Sequence, residues 1–144
     1  MKKQAYTMIA MIVLVGCLAV TARAQCGGLP AIANIPFQFN TGKATLPAGE
    51  YKVTCYDPNG RVLAIRSTDG KGNALMQMVQ VNHRWQDGVK LVFHRYGSSY
   101  FFVQAWAGGN TGLELPTTRA ERSFADGLAA LKGKRETITL TARR

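Results

Sequence analysis

The chain has 144 residues, which sizes it for one domain rather than several. Its formal charge of +10 excludes an acidic protein and points to anionic partners such as lipid headgroups, acidic polysaccharide or nucleic acid. The positives are dispersed, apart from Lys132, Lys134 and Arg135 and the terminal pair Arg143-Arg144, so a solvated basic surface fits the pattern too.

The N-terminus reads as an export signal. Lys2 and Lys3 precede an uncharged apolar run over 8–20, and Ala22-Arg23-Ala24 offers small residues for cleavage before Gln25. The run is too short to span a bilayer as a helix, which needs about 20 residues. Residues 1–24 are therefore expected to be a signal peptide and 25–144 a single β domain with no transmembrane helix. Cutting there removes Lys2, Lys3 and Arg23 from the total of +10 and leaves +7. Leu14-Val15-Gly16-Cys17 also has the form of a lipoprotein box, with Cys17 as the anchor. The apolar run continues past Cys17, which favours free export to the periplasm or beyond over a lipid anchor. Two cysteines remain, Cys26 and Cys55, and in an oxidising compartment an even pair reads as one disulfide. The alternative is two thiols, since Cys26 lies in a glycine-flanked start.

The segment 31–40 alternates, with Ala31, Ala33, Ile35, Phe37 and Phe39 on one side. That is a half-buried strand, and Pro36, which cannot donate to a ladder, makes it an edge strand or one that begins at the proline. Strands follow over 50–56 and 61–67, joined by the turn Asp57-Pro58-Asn59-Gly60. Segment 73–81 is apolar on both faces and reads as a central strand. A polar loop is expected over 82–88.

The most aromatic block is 88–107, two β-favouring runs around Gly97-Ser98-Ser99. With a three-residue loop Tyr96 opposes Tyr100, Phe93 opposes Val103 and Leu91 opposes Ala105. Val89, Leu91, Phe93, Phe101, Val103 and Ala105 then form an apolar core face. A two-residue loop shifts the register by one and mixes the faces, which disfavours it. A short strand follows over 112–115. Thr118 and Glu121 form a capping box, opening a helix over 118–131 with the stripe Ala120, Phe124, Leu128 and Leu131. Arg122 and Asp126 are spaced to pair on its polar side, and Gly127 weakens it. A last strand spans 136–142. The count predicts an all-β fold: an antiparallel sandwich or partly closed barrel of seven to eight strands with one short C-terminal helix.

Candidate chemistry is sparse. The second face of the aromatic hairpin, with His94, Tyr96, Tyr100, Phe102, Gln104 and Trp106, has the composition of a shallow ligand-binding surface. The competing reading is a sheet face packed under the helix. His83 and His94 have no Cys or carboxylate at ligand spacing, so no metal is expected, and no cofactor. Neither a nucleophile elbow nor a phosphate loop is present, so no catalytic residue is assigned. Exposed aromatics interleaved with positives are too few for nucleic-acid binding.

Several pieces together resemble a family of small uncharacterised exported β-domain proteins of soil bacteria. They are Asn34-Ile35-Pro36-Phe37-Gln38-Phe39, Leu46-Pro47-Ala48-Gly49-Glu50-Tyr51, Leu91-Val92-Phe93-His94-Arg95-Tyr96-Gly97 with Tyr100-Phe101, and Glu114-Leu115-Pro116 with Arg119, Glu121 and Arg122. The resemblance implies a β domain behind a signal peptide and carries over no site. The expectation is thus a non-enzymatic envelope domain with a binding or structural role. A carrier of a small apolar ligand, a binder of anionic polysaccharide or lipid headgroups, and an unrecognised hydrolase are the alternatives. An enclosed apolar cavity of roughly 300 Å³ or more would favour the carrier.

Overall fold

The computed structural model describes residues 29–57, 59–130 and 133–144. The expected signal segment with Cys17, and also Cys26, Pro58, Leu131 and Lys132, lie outside the described residues. Eleven strands and one helix are found among them: β1 (Ala31–Ile35), β2 (Phe39–Asn40), β3 (Thr45–Leu46), β4 (Gly49–Cys55), β5 (Val62–Ser67), β6 (Asn73–Gln77), β7 (Val79–Gln86), β8 (Val89–Tyr96), β9 (Ser99–Trp106), β10 (Gly109–Glu114), α1 (Arg119–Ala130) and β11 (Glu136–Ala142). The strands form two sheets, ordered β1-β4-β5-β6 and β11-β8-β9-β10-β7, with β2 and β3 added to the second beside β9. The sheets do not close into a barrel, and the expected sandwich is what forms.

The three strands beyond eight have simple origins: β3 is a two-residue partner of β2, and the chain changes sheet inside two segments that read as single strands. The alternation over 31–40 survives in burial, for Ala31, Ala33, Ile35 and Phe39 all lie in the core. Yet β1 pairs with β4 in one sheet and β2 with β9 in the other, and Pro36 lies at the crossing. The β2–β9 pairing is parallel, a short exception in an antiparallel fold. The second crossing is at Met78, between β6 and β7. Segment 73–81 is therefore not the expected central strand. Each half lies at a sheet edge, Met76 and Met78 enter the core, and Leu75 and Val79 are exposed. The expected loop at 82–88 is mostly strand β7, whose exposed polar residues suit an edge.

Turn chemistry behaves as the residues dictate. Gly60, at φ 67°, closes the β4–β5 hairpin, where the Gly60 N–H donates to the Asp57 carbonyl and the Asp57 side chain accepts from the Val62 N–H at 2.7 Å. The core between the sheets is aromatic. Phe93 meets Phe37, Phe39 and Phe102 edge to face, with centroids 5.2–5.5 Å apart, and Phe39 meets Tyr51 in the same way. Each fully buried ring contributes about 1.5–3 kcal/mol by removal from water.

One glycine is dictated by packing. Gly112 on β10 lies opposite Trp106 on β9, and a Cβ there would sit 2.6 Å from the indole ring. Trp106 covers the space that a side chain would need. Gly112→Ala is expected to cost about 1–3 kcal/mol, the usual range for overpacking. A lower urea midpoint with unchanged slope would show it; an unaltered midpoint would mean that the ring shifts freely.

Candidate binding face on the outer side of the large sheet

The aromatic hairpin departs from its expected register, and this decides the site. The loop has two residues, Gly97 and Ser98, so Tyr96 pairs with Ser99 and Phe93 with Phe102. Gly97 is at φ 62°, the positive value that primed hairpin turns require. A one-residue slip would have turned every later side chain over. Instead the pairing jumps from Phe93–Phe102 to Val92–Gln104, leaving Val103 without an opposite residue. This bulge absorbs the slip, and Leu91 opposes Ala105 as expected. The Val103 carbonyl accepts the Leu115 N–H at 2.7 Å, so that carbonyl is satisfied on the other side.

The six candidate residues therefore do not share a face. Between loop and bulge the sides are exchanged. Phe102 lies in the inter-sheet core at 1% exposure, and Tyr100 packs on the core's margin, stacked on Phe37 at 3.9 Å. Phe101, expected in that core, points outward instead and contacts Tyr96 and Phe124. His94, Tyr96, Gln104 and Trp106 remain on the outer face, where α1 divides them into two groups.

The first group lies under α1. Thr118 caps the helix, its Oγ1 accepting the Glu121 N–H at 3.2 Å. The Glu121 carboxylate turns to the sheet. Its Oε1 accepts the Tyr96 hydroxyl at 3.1 Å and pairs with His94 Nδ1 at 2.8 Å. Glu121 is 5% exposed and is the only fully buried residue of the helix. Ala120 is exposed, Phe124 is 47% exposed and Leu128 is half-buried. The expected apolar stripe is thus only partly covered, and a carboxylate is the helix's buried anchor. The spacing held a signal for this, since Glu121 sits three and seven residues before Phe124 and Leu128. The expected Arg122–Asp126 pair gives way to an Arg122 bond to the Thr117 carbonyl at 3.1 Å.

Burial pushes the Glu121 carboxyl up, but the hydrogen bonds from His94 and Tyr96 and the charges of His94 and Arg135 outweigh it. The net position is below the ordinary glutamate range. The Tyr96 hydroxyl is held above its ordinary range by burial and then by the Glu121 charge, so it stays a neutral donor. Among the described residues, the hydrogen bonds of this cluster bring no hydroxyl or thiol nucleophile to His94.

The second group lies beyond the helix, on the open half of the face. Gln104 and Trp106 are joined there by His83, Lys90, Val92, Thr137 and Thr139 around a shallow concavity of about 300 Å³. Hydrogen bonds fix its floor. The indole Nε1–H donates to Gln104 Oε1 at 3.1 Å, and Gln104 Nε2 donates to Glu114 Oε2 at 2.6 Å. Beneath the ring lies Gly112. On β11, Thr137 and Thr139 stand opposite His94 and Val92 and place hydroxyls along the rim. Sequence reasoning missed this wall because β11 pairs with β8 from 40 residues away in the chain.

Family models, curated proteins and solved structures were all compared with the chain, and none matches. Among the described residues no group of three or more His, Cys, Asp or Glu side chains could hold a metal ion, and no helix is long and apolar enough to cross a membrane.

The helix anchor has a testable pH signature. A carboxyl held low in the folded state stabilises above its unfolded pKa and loses that contribution as pH falls through the folded value. Melting temperature should drop on acidification below the ordinary glutamate range. Glu121→Gln should start less stable and lose less over the same interval. Parallel acid profiles for the two proteins would contradict this anchor.

Proposed function

We propose that the protein is a non-enzymatic domain of the cell envelope that binds an anionic polysaccharide across the open half of the large sheet. The observation that carries this reading is the concavity floored by Trp106 and Gln104 and walled by Lys90, His83 and the threonines of β11. An apolar ring, an amide, hydroxyls and a cation are the groups that recognise an extended, hydroxyl-rich, negatively charged chain. The hydrogen bonds from Trp106 through Gln104 to Glu114 pre-organise that floor, which lowers the ordering cost of binding. The charge of +7 that remains after cleavage before Gln25 favours an acidic polymer over a neutral one. A ligand carried between the sheets fits less well, because Phe39, Tyr51, Phe93 and Phe102 occupy that space.

Export to the envelope rests on the N-terminal sequence. It is supported by Cys55, which is half-buried at the end of β4 and is not free. A bridge between Cys26 and Cys55 would stabilise the domain by roughly 3–4 kcal/mol through its loop of about 30 residues. Thiol titration of the denatured, unreduced protein should find no free sulfhydryl in the form that begins at Gln25. Two titratable thiols would rule the bridge out.

Retention on immobilised polygalacturonate, with neutral dextran as the control, tests the binding. The protein should be held by the acidic polymer and released by salt. The rim variant Lys90→Glu with Thr139→Asp, the first half-buried and the second exposed, should bind at least tenfold more weakly while still folding, as its far-ultraviolet circular dichroism would show. Equal retention of parent and variant, or equal binding to dextran, would overturn the reading.

A further inference from the structure

From the cleft beside α1 we infer a second binding site, distinct from the polysaccharide surface, for a single-chain amphiphile with an anionic head. The cleft, of about 410 Å³, opens between the helix and the hairpin end and is lined by Tyr96, Ser123, Phe124, Gly127 and Leu128. Apart from one serine and the rim of Tyr96 its walls are apolar. Phe124 keeps 47% of its surface in solvent although it stands against Phe101. A half-exposed phenylalanine over a concavity is surface that an apolar chain can still cover.

Gly127 shapes the site. Glycine inside a helix is worse than alanine by about 1 kcal/mol. Close packing does not require it here, because a Cβ at Gly127 meets nothing within 4 Å. Neither does conformation, since Gly127 is absent from the glycines at positive φ. What its missing side chain provides is open volume at the middle of the cleft.

The other flank of the helix supplies the charge. A second cleft, of about 370 Å³, shares Tyr96 and Leu128 with the first and ends on Lys134 and Arg135. Arg135 lies close enough to Glu121 and Tyr96 for its charge to act on both. The two clefts meet at Tyr96 and Leu128, so an acyl chain laid along Phe124 and Leu128 brings a carboxylate or similar head towards Lys134 and Arg135. The size falls within the range of small-molecule sites, about 300–1,000 Å³. Charge complementarity separates this occupant from a neutral lipid or a peptide helix.

Titration with dansyl-undecanoic acid, followed by its fluorescence, tests the site. The purified protein should bind the probe with saturation, and laurate should displace it. Gly127→Leu extends into the cleft from a position where a Cβ meets nothing within 4 Å and where helix propensity improves. It should keep or raise the melting temperature and lose probe binding at least tenfold. Lys134→Gln with Arg135→Gln should also weaken binding at least tenfold, while dodecyl maltoside should displace poorly. Unchanged binding in Gly127→Leu, or displacement by dodecyl maltoside as effective as by laurate, would overturn the proposal. So would fluorescence gained only with phosphatidylglycerol vesicles, which would assign the probe to a membrane surface.

Discussion

The unpaired residue Val103 is the constraint on which the outer face depends. A two-residue loop begins the β8–β9 hairpin one step out of phase with the core. Side chains alternate with period two, so an uncorrected slip would turn Gln104 and Trp106 into the core beside Leu91 and Val89 and expose Ala105. A single extra residue on one strand restores the phase. On the loop side of the bulge, Phe102 is core and Phe101 is outer; beyond it, Ala105 is core and Trp106 is outer. The hairpin thereby presents aromatic rings to both sides of the sheet from one continuous strand.

The bulge also determines how the helix can sit. It leaves His94, Tyr96 and Phe101 together near the hairpin end, a surface half polar and half aromatic. Glu121 and Phe124, a turn apart on α1, match those halves. A buried carboxylate shared by a histidine and a tyrosine orients more than it stabilises, because its desolvation offsets much of the attraction. The helix is accordingly held at one end by a directional contact, with little apolar burial along its length. That explains why Phe124 and Leu128 still border open clefts, and why the half of the face beyond the helix stays uncovered.

Much of this was legible in the residues. Alternation over 31–39 located core side chains correctly even though the segment serves two sheets, because burial follows local period and not partner choice. The turn closed between Asp57 and Gly60, the cap at Thr118 and the final strand lie where their residue types require. Where the reading failed, two local options differed by a single step. The preference for a three-residue loop came from keeping the hairpin faces pure, and a bulge achieves the same end from a different loop. That preference turns Tyr100 and Phe102 outward. Apolar residues on both faces of 73–81 look alike in a covered central strand and in a strand that changes sheets. The wall of threonines depends on the pairing of β11 with β8, and local periodicity carries no information about partners that distant.

Cross-strand nuclear Overhauser contacts in the β8–β9 hairpin test the account most directly. The structure places Phe93 opposite Phe102 and Leu91 opposite Ala105, with Val103 facing no residue of β8. Backbone contacts in the first two pairs, and an interruption of the ladder at Val103, are the predicted result. A continuous ladder with Tyr96 opposite Tyr100 and Phe93 opposite Val103 would contradict it. It would return Tyr100 and Phe102 to the outer face and remove the basis for dividing that face in two.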